Sequence, residues 1–155
     1  MINKINKKTI AIIIIIGLIA LLFTFFKSHT TKLSKDDAIE MDGYKISYNE
    51  NPGEYQGQLR IPMRVENLKN IDNPINPDKT FKLIADGKEA EMESFSNDSK
   101  YVNGTSFSPR MTVSLDIVYK IKGNPKSYKL QIHDRKLLKD KVYEYDITSD
   151  ISKVN

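Results

Sequence analysis

The chain has 155 residues, no cysteine and a formal net charge of +4. The lack of cysteine excludes disulfide bonds, thiolate metal sites and attachment of a lipid to a cysteine. The charge does not indicate a nucleic-acid partner, because residues 28–155 hold 20 basic and 20 acidic side chains. The excess lies in four lysines beside an apolar segment: Lys4, Lys7, Lys8 and Lys27.

That apolar segment, 9–26, is the longest in the chain and has 18 residues without a charge. A helix of this length rises about 27 Å, which is close to the hydrocarbon thickness of a bilayer. A buried core helix is the alternative, but the rest of the sequence offers no other long apolar helix to pack against it. We therefore predict a transmembrane signal-anchor at 9–26 after a cytoplasmic basic tail at 1–8.

Cleavage and orientation of this segment depend on its flanks. No Ala-x-Ala pattern follows the apolar run, which favours an uncleaved anchor over a cleaved signal peptide. Lysines flank both sides in equal number, so the positive-inside rule gives a near-tie: Lys4, Lys7 and Lys8 before, Lys27, Lys32 and Lys35 after. The short N-terminal tail favours a single-pass membrane protein with its C-terminal domain outside the cytoplasm.

Beyond a polar stalk at 27–38, alternating apolar and polar residues predict short strands. They lie at 39–49, 58–65, 81–85, 88–93, 111–121, 128–132 and 142–147. Loops are predicted at 67–78 and 94–109, with a basic connection at 133–141 that holds at most one helical turn. Pro62 is predicted at an edge position or a bulge. Together these features predict an all-β, antiparallel immunoglobulin-like β-sandwich at 39–148 and a frayed tail at 149–155.

Four segments of this domain carry a family resemblance. They read Val-Glu-Asn-Leu at 65–68, Phe-Lys-Leu-Ile-Ala-Asp-Gly at 81–87, Ser-Pro at 108–109 leading into 113–119, and Tyr-Lys-Leu-Gln-Ile-His-Asp at 128–134. In this order they resemble the telokin-like, immunoglobulin-fold domains of unknown function found in Gram-positive surface lipoproteins and membrane-anchored proteins. An Ile-rich anchor replaces the lipid-bearing cysteine of many relatives, and Ser-Pro-Arg at 108–110 replaces a usual glycine. The resemblance implies an extracytoplasmic, non-catalytic module and brings no known ligand.

The sequence predicts no enzyme activity, no metal and no cofactor. His29 and His133 lie far apart in the chain, and no glycine-rich phosphate loop or zinc-protease motif occurs. His133 and its neighbour Asp134 are interpreted as part of a surface turn rather than as a catalytic dyad. A solvated outer face, rather than a calcium site, is the interpretation of three alternating carboxylates: Glu89, Glu91 and Glu93.

Binding is the function class that remains, and two kinds of side chain could serve it. Aromatic residues in loops can anchor a protein partner, and the predicted loops contain Tyr55, Tyr101 and Phe107, with packed loop covers as the alternative. The leading prediction is therefore a binding module for a protein partner in the cell envelope. Such a partner would belong to an envelope assembly or be a toxin or bacteriocin that this chain antagonises.

Charge supplies the second prediction. Residues 36–98 carry 14 acidic and 7 basic side chains, whereas residues 99–141 carry 10 basic and 3 acidic ones. Complementarity between paired strands is one interpretation, and a basic face toward an anionic lipid or wall polymer is the other. The alternative function is thus a binder of anionic polymer through the basic 120–141 region, with four candidate residues: Lys120, Lys122, Lys126 and Lys129.

Overall fold

The structure, a computed structural model, describes residues 12–17, 29–48, 50–96, 102–136 and 139–153. Residues 12–17 form a short helix, α1, inside the predicted anchor, and their side chains are exposed. Among the described residues, no helix has both the length and the apolar character needed to cross a membrane. The remainder of the predicted anchor, 9–11 and 18–26, lies outside the described residues.

The described chain from His29 onward consists mainly of short strands. In order, they are β1 His29–Leu33, β2 Ala38–Met41, β3 Tyr44–Ser47, β4 Gly53–Tyr55, β5 Gln58–Asn67, β6 Asn73–Pro74, β7 Phe81–Ala85, β8 Lys88–Glu89, β9 Glu91–Ser96, β10 Val102–Asn103, β11 Ser106–Phe107, β12 Thr112–Lys120, β13 Tyr128–Lys136, β14 Lys139–Asp146 and β15 Ser152–Lys153. Two helical turns accompany them: α2 Pro77–Thr80 and a 3-10 turn at Thr148–Asp150.

These strands form two large sheets and one small one. The first sheet has the order β1-β14-β13-β7-β8, and the second has the order β15-β4-β5-β12-β9, with β3 beside β5 and β2 beside β3. The small sheet has the order β10-β11-β6. Apolar side chains from both large sheets form one buried cluster between them. The all-β prediction is confirmed, and the domain is a β-sandwich.

Strict alternation explains why three of the predicted strands are right. Every second residue of β5, β12 and β13 faces the core, and a register slip of one residue would turn all of them toward solvent. The predicted inward residues are all buried: Leu59, Ile61, Met63 and Val65 in β5, Val113, Leu115, Ile117 and Tyr119 in β12, and Tyr128, Leu130 and Ile132 in β13.

Pro62 lies in the middle of β5, where only one side of the strand is paired with another described strand, so the predicted edge position holds locally although β5 is a central strand overall. One side of β5 pairs with β12, and Pro62 lies opposite Asp116 there. On the other side β4 pairs with Gln58–Arg60 and β3 begins its pairing at Arg64. Pro62 therefore falls in the interval between β4 and β3, a place where a residue that lacks an N–H is tolerated.

The predicted strand at 39–49 is instead a hairpin. β2 and β3 pair across a two-residue turn at Asp42 and Gly43. Both turn residues have positive φ, +48° and +81°, which is the backbone of the tight turn that suits hairpin twist. The apolar positions change phase across this turn, from Ile39 and Met41 to Tyr44 and Ile46, so the Asp-Gly pair marks a reversal that the predicted single strand passes over.

The predicted return strand at 88–93 is also divided. β8 pairs with β7 in the first sheet, whereas β9 pairs with β12 in the second sheet. Ala90, between them, donates its N–H to the Leu83 carbonyl (2.8 Å) at the point where the chain changes sheets. Because of this division, Glu89 and Glu93 belong to different sheets and do not form the common outer face that the sequence predicts.

Strands also replace the basic connection predicted at 133–141. β13 continues to Lys136 and β14 begins at Lys139, and the two strands pair as a hairpin. The inward position that follows Ile132 is taken by Asp134, which is only 3% exposed. A charged residue at a core-facing position ends the apolar pattern but not the strand. His133 and Asp134 therefore lie within β13, and their assignment to a surface turn is wrong.

Regular structure also occurs inside both predicted loops. The segment 67–78 contains β6 and the start of α2, whose first turn is capped by Asn76 through a hydrogen bond from the Lys79 N–H (3.2 Å). The segment 94–109 contains the end of β9 and the β10–β11 hairpin. In addition, β1 lies within the predicted stalk and β15 within the predicted tail, where they pair in parallel with β14 and β4.

The sandwich has two ends, which we call the turn end and the hairpin end. The turn end carries the turns at 56–57 and 86–87 and the connection 121–127, which are joined by hydrogen bonds from the Ile121 N–H to the Gly57 carbonyl (2.7 Å) and from the Asp86 N–H to the Ser127 carbonyl (3.0 Å). β13 has nine residues and runs from this end to the opposite one. The two ends are therefore about 27 Å apart along the first sheet.

The hairpin end carries the β13–β14 hairpin of the first sheet. In the second sheet it carries the 42–43 turn and the loop 68–72, because β5 ends and β12 begins there. The Leu68 N–H donates to the Gly43 carbonyl (2.7 Å), and the Arg110 N–H donates to the Lys69 carbonyl (3.1 Å). Sheets packed in a sandwich keep their strand directions within about 30° of each other, so these segments share one end of the molecule.

Candidate functional site

A cleft of about 490 Å³ opens at the turn end. The 86–87 turn and β8 supply one wall from the first sheet, and the end of β12 with the connection 121–127 supplies the other. Six charged residues of both signs line it: Asp86, Lys88, Glu89, Glu91, Lys120 and Lys122. The cleft is therefore not the uniformly basic surface that the sequence suggests for an anionic polymer.

Asp86 holds the connection 121–127 in place. Its Oδ1 accepts hydrogen bonds from the Lys126 N–H (3.0 Å), the Ser127 N–H (2.9 Å) and the Ser127 hydroxyl (3.1 Å). The backbone hydrogen bond from Lys126, followed by those from Ser127, keeps the pKa of the Asp86 carboxyl below its usual value. The carboxylate serves here as an acceptor that shapes the cleft.

The lysines of the cleft differ in their surroundings from the carboxylates. Glu89 is already bound to Lys82 on β7, with Nζ–O distances of 2.6 and 2.7 Å. For Lys88, Lys120 and Lys122, by contrast, no ion pair is found in the part of the chain that the structure describes. All three are exposed and available to a ligand.

The structure brings together only some of the four lysines that the sequence singles out. Lys120 and Lys122 line the cleft, and Lys126 lies beside it through its backbone bond to Asp86. Lys129 is elsewhere, on the outer face of the first sheet, where it pairs with Glu144 (3.1 Å). The rest of the basic 120–141 region lies at the hairpin end, so this region is not one continuous surface.

The three aromatic candidates also have different positions. Tyr55 ends β4 at the turn end and is 51% exposed. Phe107 is fully buried in β11 and packs edge-on against Tyr44 with 5.6 Å between ring centroids, so the prediction that it is an exposed loop anchor is wrong. Tyr101 lies outside the described residues.

Tyr55 borders a shallow depression on the outer face of the second sheet, also of about 490 Å³. Gly53, Gln58, Arg60 and Val118 line it with Tyr55. The Gln56 side chain donates a hydrogen bond to the Tyr55 hydroxyl (2.9 Å), and Arg60 pairs with Asp116 at its edge. The depression thus combines an exposed ring with a guanidinium group, and it lies at the same end of the sandwich as the cleft.

The outer face of the first sheet carries a row of polar side chains that the sequence does not predict. The strand register aligns Lys32, Glu144, Gln131 and Lys82 on four neighbouring strands. Gln131 donates to Glu144 (2.8 Å). Burial opposes ionisation of Glu144, but the bonds from Gln131 and Lys129 outweigh it, so the pKa lies below its usual value. Only the strand register reveals this row, because its members are far apart in the sequence.

His133 extends this polar surface toward the hairpin end. Its Nε2 lies 3.3 Å from the Gln131 Oε1, and its Nδ1 lies 3.8 Å from the Asp140 Oδ2. Burial, with smaller effects from nearby charges, lowers the pKa of the His133 imidazole. Within the described residues, no group of three or more His, Asp or Glu side chains is placed to hold a metal ion.

Comparisons with known proteins give the fold and no family. No family model matches the chain, and no curated protein matches it. MPT63, a secreted protein from Mycobacterium tuberculosis, superimposes with a TM-score of 0.54 at 6% identity, over 77% of this chain and 99% of that one. An uncharacterized β-sandwich protein from Clostridium difficile gives 0.51 at 15% identity, over 76% and 95%.

A third structure is longer than this chain. It is ycdA, a candidate lipoprotein from Bacillus subtilis, with a TM-score of 0.46 at 13% identity, over 70% of this chain and 38% of that one. The chain thus spans about two-fifths of its length, and a likeness this low supports no argument. At these identities the other two structures show a shared β-sandwich fold and nothing about function.

Proposed function

We propose that this chain is a membrane-anchored, extracytoplasmic binding module. Residues 9–26 anchor it, a telokin-like, immunoglobulin-like β-sandwich forms its outer domain, and its partner is a protein of the cell envelope. The uncharged run of 18 residues supports the anchor. The secreted MPT63 supports the location only as an analogy of fold. The proposed role is recognition rather than catalysis.

One observation carries the proposal: the exposed ring of Tyr55 lies at the end of the sandwich opposite the end where β1, the first strand after the proposed anchor, begins. β1 enters the first sheet with His29 opposite Lys141, at the hairpin end. Tyr55 lies opposite Gln58, and Gln58 lies opposite Lys120, at the turn end. An anchored domain therefore presents this ring to the envelope rather than to the bilayer.

The chemistry of the depression fits a protein partner. Tyrosine and arginine are the residues that most often contribute strongly to protein–protein binding, because they bury large surfaces and also form hydrogen bonds. Tyr55 is half exposed, and the side chain of Arg60 is 65% exposed while it pairs with Asp116. A partner that covers this depression would remove both side chains from water.

The alternative ligand is an anionic wall or lipid polymer. The observation that favours it is that Lys88, Lys120 and Lys122 line one cleft. Lys88 lies outside the basic 120–141 region, so the fold adds a third lysine to the two that the sequence predicts there. A phosphate-rich polymer would be held by these lysines, and its binding would weaken as salt screens their charges. Three carboxylates in the same cleft oppose this ligand, so it ranks second.

Photocrosslinking in intact cells tests the proposal. Replacement of Tyr55 by benzoylphenylalanine is expected to give a discrete crosslinked protein, because the ring would touch the partner. The matched control is the same replacement at Ser114, which is exposed on the same outer face in β12 but outside the depression. Crosslinking is measured by the shift of a C-terminal tag on a denaturing gel.

The outcomes separate the two ligands. A protein adduct at position 55 and none at 114 supports a protein partner. If neither position forms an adduct, and salt-sensitive adsorption to envelope material is lost in the Lys120→Gln, Lys122→Gln variant but kept in Lys129→Gln, the polymer replaces the protein as ligand. Equal adducts at both positions mean non-specific contact and contradict a recognition site at Tyr55.

A further inference from the structure

We infer that the hairpin end of the sandwich rests on the bilayer and binds anionic phospholipid headgroups, with Ile71 in contact with lipid and Arg110, Arg135 and Lys141 around it. This inference rests on the proposed membrane anchor. It assigns a second, separate surface to the domain: the turn end would meet the partner and the hairpin end would meet the membrane.

The first support is the short distance between anchor and domain. The predicted span ends at residue 26 and β1 begins at His29, so only Lys27 and Ser28 lie between them. Even a fully extended chain covers no more than about 11 Å between residues 26 and 29. The predicted stalk at 27–38 is occupied by β1 and the turn that follows it, so the domain is held close to the bilayer surface.

The direction of β1 determines which end of the sandwich lies near the bilayer. β1 runs parallel to β14 and places His29 opposite Lys141, at the start of β14. β13 runs antiparallel to β14, so Arg135 near its end lies opposite Asp140. The chain therefore enters the domain beside the β13–β14 hairpin. An anchored domain has its hairpin end as the part nearest to the lipid.

An exposed apolar side chain lies at this end. Ile71, in the loop 68–72, is 66% exposed, more than Tyr55, the other large apolar side chain exposed in the described part of the domain. The loop is held firmly, because the Asn67 amide donates to the Ile71 carbonyl (2.9 Å) and the Arg110 side chain donates to Asn70 (2.7 Å). Ile71 is thus held outward by fixed contacts at the membrane-facing end.

Basic residues lie at the same end of the sandwich as Ile71. Arg110 is exposed in the second sheet's part of the hairpin end, and Arg135 and Lys141 are exposed in the first sheet's part. With α2, which leads into β7 at this end, the segments of the hairpin end carry seven basic and five acidic residues: Lys69, Lys79, Arg110, Arg135, Lys136, Lys139 and Lys141 against Asp42, Asp72, Asp78, Asp134 and Asp140. Asp134 is buried, and Asp140 lies beside His133. An apolar contact among basic residues is the pattern by which surface segments bind anionic membranes.

Depth-dependent fluorescence quenching tests this orientation in the full chain reconstituted in vesicles. The protein has no cysteine, so a single Asp72→Cys substitution places a fluorophore beside Ile71, and Asn124→Cys places the same fluorophore at the turn end. The vesicles contain phosphatidylcholine with or without phosphatidylglycerol, and a nitroxide lipid near the surface is the quencher. We expect strong quenching at position 72 with phosphatidylglycerol, and little at position 124.

Charge removal gives a matched control. The Arg135→Gln, Lys141→Gln double variant is expected to lower the ratio of docked to undocked domains about 25-fold and so to weaken the quenching at position 72. This factor follows from the loss of two basic residues, each of which contributes to binding at an anionic surface. The Lys120→Gln, Lys122→Gln pair, with the same loss of charge at the turn end, is expected to leave the quenching at position 72 unchanged.

Different results would contradict the docked orientation, the preference for anionic lipid and the anchor itself. Equal weak quenching at positions 72 and 124, in protein that floats with the vesicles after alkaline washing, overturns the docked orientation while the anchor stands. Equal strong quenching at position 72 in vesicles without phosphatidylglycerol overturns the recognition of anionic lipid. If the chain does not float with the vesicles at all, the proposed anchor itself is wrong, and the inference falls with it.

Discussion

Phe107→Ala is expected to lower the free energy of unfolding by about 3–5 kcal/mol, as found when a buried phenylalanine is truncated. The ring is fully buried and packs edge-on against Tyr44, and its strand β11 joins β10 to β6. Loss of the ring would leave a cavity beneath this small sheet and also remove the aromatic contact. Urea denaturation of the wild-type and variant chains in the same detergent measures the change.

Tyr55→Ala is the matched control for an aromatic truncation. Because half of the Tyr55 side chain is already exposed, the free energy of unfolding should change by no more than about 0.5 kcal/mol. The two variants test the division of the aromatic candidates into core and surface. Similar stability changes for Phe107→Ala and Tyr55→Ala would contradict that division.

Asn67→Ala is expected to lower the free energy of unfolding by about 3 kcal/mol, although it removes a polar residue from the core. The Asn67 amide nitrogen lies 2.9–3.1 Å from three carbonyl oxygens, and its Oδ1 accepts from the Lys69 N–H (2.9 Å). The three carbonyls belong to Ile71, Phe107 and Ser108. Truncation would leave these backbone groups in or near the core without their partner.

Tyr119→Phe is the control for the removal of a buried polar group. The Tyr119 hydroxyl is buried and has no hydrogen-bond partner among the described residues, so its loss should raise the free energy of unfolding by about 1 kcal/mol. Asn67→Ala and Tyr119→Phe are thus expected to change stability in opposite directions. Urea denaturation would show this as a lower midpoint for Asn67→Ala and a higher midpoint for Tyr119→Phe, with an unchanged m-value. A stability loss for both would mean that the Tyr119 hydroxyl has a partner in solution.

The strands that could be predicted are those in which the apolar alternation is complete. In β12, and in β5 as far as Val65, each inward position holds an apolar side chain, so the sequence alone gives both the strand and its buried face. β13 was predicted only as far as Ile132, because Asp134 occupies the next inward position. The β2–β3 turn, by contrast, could have been predicted, because the apolar positions shift by one residue across Asp42-Gly43, a pair typical of tight hairpin turns.

Sheet membership could not be read from the sequence. Lys88 and Glu91 are only three residues apart, yet they belong to different sheets because the chain crosses between the sheets at Ala90. The same limit applies to the candidate site. Lys120 and Lys122 meet Lys88 at one cleft because the 86–87 turn and the connection 121–127 share the turn end, whereas Lys129 points to the outer face of the first sheet and pairs with Glu144.

The aromatic residues show a further limit of local reasoning. Tyr55 and Phe107 both lie near turn-forming residues, and nothing in their immediate sequence separates them. Their difference arises from pairing: β11 is held between β10 and β6 over the core, whereas Tyr55 ends β4 at the turn end. Asn67 offered a local signal, since it follows an alternating strand and precedes an Asn-rich loop, where side chains that bond to backbone groups are common.

Protease shaving of intact cells tests most directly whether residues 9–26 hold the β-sandwich outside the cytoplasm. An epitope tag after Asn155 reports the domain, and a cytoplasmic protein with the same tag reports cell integrity. We predict that external protease removes the tag from this chain while the cytoplasmic tag survives, and that the untreated chain stays with the membrane after alkaline extraction. A tag that survives until the cells are lysed would place the domain on the cytoplasmic side and contradict the proposed envelope function.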